Sequence, residues 1–345
     1  MSANYWASTQ CNNWLIDRAQ LELARHEDRE YASETECAAI GIFFANLISI
    51  VCKRLNLRQR VVASACVFFS RFFCKNSYSA VEPFLVCATC VYVAAKVEES
   101  PIHIKSAVAE AARSFQEVGF RAMPTDNSSL AEMEFYLLEE MEFDMILFHP
   151  YRSLLAIYDA HGSDSSDSSA TSSATAALGI EAEAFGVRGL ESIETRSEAR
   201  LAELDQHVLQ MSWLVLNDAY RSNMPLLYPP YMLALAAVWI ALTLHTPAYE
   251  RINATLESMQ QHRKQHQQAA LEEIVPPSGE ALTFFASLNV SLPLLAEVVQ
   301  SLLEAYQRQS QAAKLVADGP GMVKLLERMR HARRTALLTT NAQGR

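Results

Sequence analysis

Apolar positions recur along the chain at helical spacing, and period-two alternation of useful length is absent. The run Ile40–Val51 follows Ser33-Glu-Thr-Glu36, which predicts a long helix with Ser33 as its N-cap. Arg58–Asn76 predicts a second helix, apolar or small from Val61 through Phe69. Val81–Glu99 predicts a third. It is apolar all round from Phe84 to Ala95, the pattern of a helix at the centre of its domain. Ile102–Phe115 and Ser128–Glu142 complete a set of five. In the last, Met133, Tyr136, Leu137 and Met141 are assigned to one buried face, and Glu139, Glu140 and Glu142 to solvent. The fold class is all-α.

The pattern repeats. Pro83–Ala95 lies over Pro230–Leu242 without a gap: proline meets proline, Phe84 meets Tyr231, Val91 meets Val238 and Tyr92 meets Trp239. The preceding helix keeps the same offset, with Val67-Phe-Phe over Leu214-Val-Leu and Asn76 over Asn223. Two five-helix domains are therefore predicted, at about 31–148 and 149–308, after an N-terminal helical extension over 1–30 and before a C-terminal tail over 309–345. The copies differ where the apolar helix ends. The first runs into Lys96-Val-Glu-Glu99, the second into Thr243-Leu-His245. A charged cluster in one copy only points to a docking site there.

Two stretches break the helical pattern. Gly162–Ser173 is low-complexity Ser/Asp sequence that buries no core, so a disordered insertion is expected over about 162–200. Thr246–Ala281 is polar and Gln-rich, a second insertion with partial helicity. Beyond it, Leu282–Arg308 is helical again. The basic stretch Arg328–Arg334 reads as a solvated helix face.

Composition narrows the function. The 345 residues suit about two domains at ~150 residues each. A net charge of −10 lacks the footprint of a DNA-binding surface, and only 10 glycines disfavour phosphate loops. Seven cysteines, most of them within apolar helical patterns, read as buried thiols of a reducing, intracellular compartment. Met1–Gln20 is mostly polar and has no apolar signal region. Ser222–Pro247 carries no Asp, Glu, Lys or Arg, but its continuous apolar part, Tyr231–Leu244, is 14 residues long, short of the ~20 of a membrane span, and reads as a core helix. Cys87-Ala-Thr-Cys90 lies inside an apolar helix with no second pair, so packing is expected rather than zinc or redox use. His262 and His266 share i, i+4 spacing without a third ligand and are read as solvated. HExxH, Walker A, GxSxG and kinase HRD or DFG motifs are absent.

Tyr92-Val-Ala-Ala-Lys-Val-Glu-Glu99, following Arg71-Phe-Phe, resembles the cyclin box, and the doubled five-helix plan is similar to the cyclin fold. Within that family the chain looks most like the cyclin C group, the cyclin of the Mediator kinase module. Four stretches carry this: Asn4–Thr9 with Trp14–Asp17, Leu57–Ala65, Glu134–Glu139 with His149–Arg152, and Asn217–Arg221 with Leu226–Tyr231. Together they cover most of residues 4–245 outside the Ser-rich insertion.

The resemblance implies two consecutive cyclin boxes and a non-catalytic subunit, without cofactor, that activates a cyclin-dependent kinase in the nucleus. Such a kinase needs its αC glutamate paired with the β3 lysine, and a cyclin favours that state by binding it better. By the same resemblance, Lys96 and Glu134 contact the kinase near αC and Glu99 supports them. Trp6, Glu98, Asn217 and Asp218 face other subunits of the Mediator kinase module. No direct nucleic-acid or membrane partner is implied. The chain departs from cell-cycle cyclins on the first box helix, where Ile40, Phe43, Phe44 and Leu47 stand without the Trp of the substrate-docking patch. Alternatives are a cyclin of another transcriptional kinase and a TFIIB-like two-box general transcription factor. A terpene-type helical enzyme lacks its clustered aspartates here, and a generic helical scaffold leaves Lys96 and Glu134 unexplained.

Overall fold

In the computed structural model, residues 4–124, 126–161, 203–265 and 281–343 are described. The Ser/Asp-rich stretch 162–200, most of the Gln-rich segment and the side chains of His262 and His266 lie outside them. Helix is the only regular secondary structure among the described residues. The helices used below are α1 (Arg18–Ala24), α2 (Glu34–Arg54), α3 (Gln59–Lys75), α4 (Pro83–Val97), α5 (Ile104–Glu117), α6 (Asn127–Glu140), α7 (Pro150–His161), α8 (Gln206–Ala219), α9 (Pro230–Leu244), α10 (Thr246–Gln265), α11 (Ala281–Ser287), α12 (Leu292–Ala317) and α13 (Gly319–Gln343).

The chain forms two compact units. One holds Asn4–His149, Asn217–Pro229 and Ser301–Arg345; the other is drawn from 150–216 and 230–300. The sequence reading divided the two boxes between 148 and 149, placed 217–229 and 301–308 in the second, and set 1–30 and 309–345 apart as an extension and a tail. Contacts far apart in sequence tie the 217–229 strap to the first unit. The Ile16 N–H donates to the Leu226 carbonyl at 2.9 Å, and the Tyr228 hydroxyl meets Arg18 at 3.0 Å and Ser301 at 3.0 Å.

In the first unit α4 is the central helix, packing on α2, α3, α5 and α6. Its sequence requires this position, because Phe84, Val86, Cys87, Ala88, Cys90, Val91, Ala94 and Ala95 are all buried. Small residues let neighbouring helices approach, and aromatic rings fill the gaps. Phe84 stacks on Phe120 with centroids 3.9 Å apart and meets Phe44 at 5.0 Å edge-on, and Phe44 stacks on Phe69 at 5.0 Å. Ser33 caps α2 in a reciprocal capping box with Glu36, as the sequence predicts. Cys87 and Cys90 lie fully inside, where burial pushes both thiols well above their ordinary range.

Helix α2 is also long and apolar enough to cross a membrane by length and composition, yet Ile40, Phe44, Leu47, Ile48 and Cys52 are buried against neighbouring helices. Ile40, Phe43, Phe44 and Leu47 are each at most 4% exposed, so the face compared with the docking patch of cell-cycle cyclins belongs to the core. On α6 the buried positions are Leu130, Met133 and Leu137, with Met141 just beyond. Tyr136, expected inside, is 62% exposed, because it falls at the edge of the stripe that those four residues define.

In the second unit α9 repeats α4: both begin at proline, both have 15 residues, and both are buried along most of their length. Helix α9 packs on α7 and α10, and Trp239 meets Phe285 edge-on at 4.9 Å. The described part of the polar segment, α10, is one 20-residue helix. The region expected as a tail is helical too: α12 runs on to Ala317 and α13 follows after one residue.

Candidate docking surface

The last turn of α4 positions the predicted docking residues. Lys96 emerges where the buried helix reaches solvent, and its Nζ donates to Glu134 Oε1 on α6 at 2.6 Å. The same ammonium lies 4.3 Å from the Tyr92 ring centroid. Burial alone would lower the Lys96 pKa; the Glu134 carboxylate and the Tyr92 hydroxyl outweigh it and hold the ammonium charged. Its side chain remains 42% exposed, so a fixed cation with spare donors faces outward. Glu134, at 17%, is the anchor that sets its direction.

The helix then stops in a Schellman turn. The Ser100 N–H donates to the Ala95 carbonyl at 2.9 Å, and the Glu99 N–H to Lys96 at 3.3 Å. This puts Glu99 at φ 52°, in the left-handed region, and leaves it exposed beside Lys96. Glu98 has a different environment from the partner surface expected for it. Its carboxylate is turned inward and only 9% exposed; it accepts from Arg60 Nε and, at 2.6 Å, from Ser64 Oγ, and lies 3.5 Å from His149 Nε2. Burial alone would raise the Glu98 carboxyl; His149, Ser64 and Arg60 outweigh it and hold it below the ordinary 4.5. His149 Nδ1 in turn meets the Tyr220 hydroxyl at 2.6 Å. Glu98 therefore ties α4 to α3 and to the chain around His149 and Tyr220.

Sequence reasoning missed an apolar rim on and after α6. Phe135 is 73% exposed, Phe143 71% and Ile146 71%. Phe143 is held out by two consecutive left-handed residues, Glu142 at φ 53° and Phe143 at φ 60°. Such conformations cost about 1–3 kcal/mol each and concentrate at functional positions. The available signal was Phe135 beside Glu134, an aromatic next to a predicted docking residue on an otherwise acidic helix face.

Trp6 sits on a short helical turn, Tyr5–Ala7, and is 61% exposed. The segment beneath it is pinned: Gln10 and Phe148 exchange two hydrogen bonds, at 3.3 and 2.6 Å, and Tyr5 meets the Phe148 ring edge-on at 5.7 Å. Asp218 accepts from Arg221 at 2.8 Å and from the Tyr306 hydroxyl at 3.0 Å, and Asn217 beside it is half-buried. Trp6 is thus presented outward, while Asp218 is engaged within its own unit.

The profile of the cyclin N-terminal domain matches residues 28–146, the stretch that holds α2 to α6. An RNA polymerase II holoenzyme cyclin-like subunit of Mycosarcoma maydis is 59% identical over 390 residues, covering 100% of this chain and 99% of that protein. The chain belongs to the cyclin family. Within it, similarity extends to Cyclin-C of Drosophila melanogaster, 28% identical over 312 residues with 89% of this chain and 90% of that one covered. A solved chain of the CAK complex from Chaetomium thermophilum matches with a TM-score of 0.54 at 16% identity, over 94% of this cyclin and 88% of that chain. One from the yeast TFIIK (Kin28/Ccl1/Tfb3) complex matches at 0.51 and 19%, over 86% and 98%. At those identities the two structures show that this cyclin shares their fold.

Proposed function

We propose that this cyclin is a non-catalytic regulatory subunit that binds and activates a cyclin-dependent kinase of the Mediator complex, and thereby regulates RNA polymerase II transcription in the nucleus. The observation that carries the proposal is Lys96, fixed by Glu134 and Tyr92 and still open to a partner. Its remaining N–H donors suit backbone carbonyls near the kinase αC helix, and a charged donor makes hydrogen bonds roughly twice as strong as a neutral one. Phe135 and Phe143 add apolar area on and after the helix that carries Glu134. Binding to the αC-in state in preference to the αC-out state moves the kinase population toward the former. The holoenzyme name of the 59%-identical relative supports the transcriptional setting. The reading's second surface, for other subunits of the kinase module, is carried by Trp6 with Asn217 and Asp218, while Glu98, expected there too, is turned inward and supports α4 from within.

The direct test is co-purification with a Mediator-type cyclin-dependent kinase. Lys96→Ala with Glu134→Ala is expected to abolish capture while circular dichroism stays unchanged. Undiminished capture would exclude this surface. Capture of a kinase from the CAK or TFIIK class in place of the Mediator type would move the cyclin to another transcriptional kinase.

A further inference from the structure

A cavity of about 170 Å³ lies between α1, α2, the 217–229 strap and α12, lined by residues of the first unit alone. Its wall on α2 is Ala38, Gly41 and Ala45, small residues three and four apart on one helix face. Ile42, Phe69 and Met224 are buried around it. Trp6, Lys96, Glu98, Glu134, Asn217 and Asp218 are not among its lining residues, so it belongs to neither surface described above. Gly41 stands mid-helix, where glycine weakens a helix, and close packing does not demand it. A Cβ there would meet nothing nearer than the Tyr78 hydroxyl, at an ordinary 3.7 Å. The missing side chain leaves the space open.

The cavity holds a polar group with nothing to bond. Tyr78 is 4% exposed, and its ring is fixed by Phe73, centroids 4.4 Å apart, and by the Arg25 guanidinium, 4.4 Å from its centroid. Its backbone N–H donates to Asp28 at 2.8 Å. The hydroxyl lines the cavity opposite Gly41 and has no hydrogen-bond partner among the described residues. Burial pushes the phenol up to about 12, so it stays a neutral donor. A buried hydroxyl without a partner is costly, and a ligand that supplies one removes the cost.

The mouth offers a cation. Arg25, Arg29 and Arg221 are each paired with a carboxylate, of Asp28, Glu22 and Asp218. Arg18 donates to the Tyr228 and Ser301 hydroxyls and lies 4.0 Å from Glu304. Arg308 has the same Glu304 at 3.6 Å, without a hydrogen bond, and is 61% exposed. Its guanidinium therefore keeps its donors for an incoming carboxylate. A cavity of about 150 Å³ takes up one benzene, so this one suits a single aromatic ring. One ring alone gives a free molecule little to hold, whereas the charged mouth gives the residues flanking it a surface to cover.

We propose that this cavity is a docking site for a tyrosine of an acidic partner segment, whose ring fills the space beside Gly41, whose hydroxyl bonds to Tyr78, and whose neighbouring carboxylate pairs with Arg308. The buried phenol sets the depth of insertion and the exposed arginine the sign of the flanking charge.

The test uses the full chain and a fluorescein-labelled peptide, Glu-Asp-Glu-Tyr-Glu-Asp-Glu, read by anisotropy at low salt. The parent chain is expected to bind it. Tyr78→Phe removes only the hydroxyl and should weaken binding about tenfold with no loss of melting temperature. A peptide with Phe in place of Tyr should lose as much against the parent chain, and the two losses should not add, because they delete one hydrogen bond. Gly41→Leu fills the cavity and should abolish binding at unchanged circular dichroism; Arg308→Glu should weaken it. If Gly41→Leu does not fold, the paired hydroxyl deletions decide alone. No binding by the parent chain, losses that add, or equal binding of a peptide with Lys in place of every acid would overturn the proposal. So would 4-hydroxyphenylacetate binding as tightly as the peptide, which would make the cavity a small-molecule site.

Discussion

Lys96 and Glu98 stand two residues apart and do opposite things. Lys96 faces out because the Schellman turn ends α4 there and Glu134 holds its ammonium from the side. Glu98 faces in because Arg60, Ser64 and His149 converge on it. The charged cluster Lys96-Val-Glu-Glu99 at the end of α4 was legible in the sequence, but the opposite orientations of its side chains were not. They depend on Ser64 and Arg60, 34 and 38 residues earlier, which helical periodicity leaves unlinked to Glu98. Glu98→Ala is expected to cost about 1.5–3 kcal/mol, because it removes a hydrogen-bonded charge and leaves its buried partners unsatisfied. The folded-state carboxyl sits below its ordinary 4.5, so its contribution is present above that pH and is lost as pH falls through the folded value. Urea unfolding of Glu98→Gln should therefore show a shallower loss of stability below pH 4.5 than the parent chain. An identical pH profile would contradict the network.

At the scale of elements, the five helices of the first box fall within a few residues of where the apolar spacing puts them. The match of α4 with α9 was visible because a buried central helix constrains every position. The N-terminal extension and α13 were less legible, since their partners are remote. Trp14 is 6% exposed; its Nε1 donates to Asp144 at 3.0 Å, and the Arg71 guanidinium lies 4.5 Å from its ring centroid. Arg71 is itself 1% exposed and donates to the Asp144 carbonyl at 2.9 Å; burial lowers its pKa to about 10. This buried cation holds the N-terminal segment against α3. Trp14→Ala is expected to destabilise the fold by about 3–5 kcal/mol. A loss under 1 kcal/mol in denaturant unfolding would mean that the segment is not anchored there.

At the scale of the whole molecule, the function proposed for this cyclin is carried by surfaces, with no reaction centre invoked. Trp6 is presented by a pinned turn and contributes little to its own fold. Trp6→Ala should leave stability within about 0.5 kcal/mol of the parent and kinase capture intact, while weakening recovery of the other kinase-module subunits. Full recovery of those subunits would remove Trp6 from the partner surface.

The most direct measurement is the activity of a purified Mediator-type cyclin-dependent kinase with and without this chain. Phosphorylation that appears only with the chain, and is lost with Lys96→Ala plus Glu134→Ala at unchanged helicity, is the predicted result. A kinase equally active with the parent and the doubly substituted chain, or indifferent to both, would contradict the account.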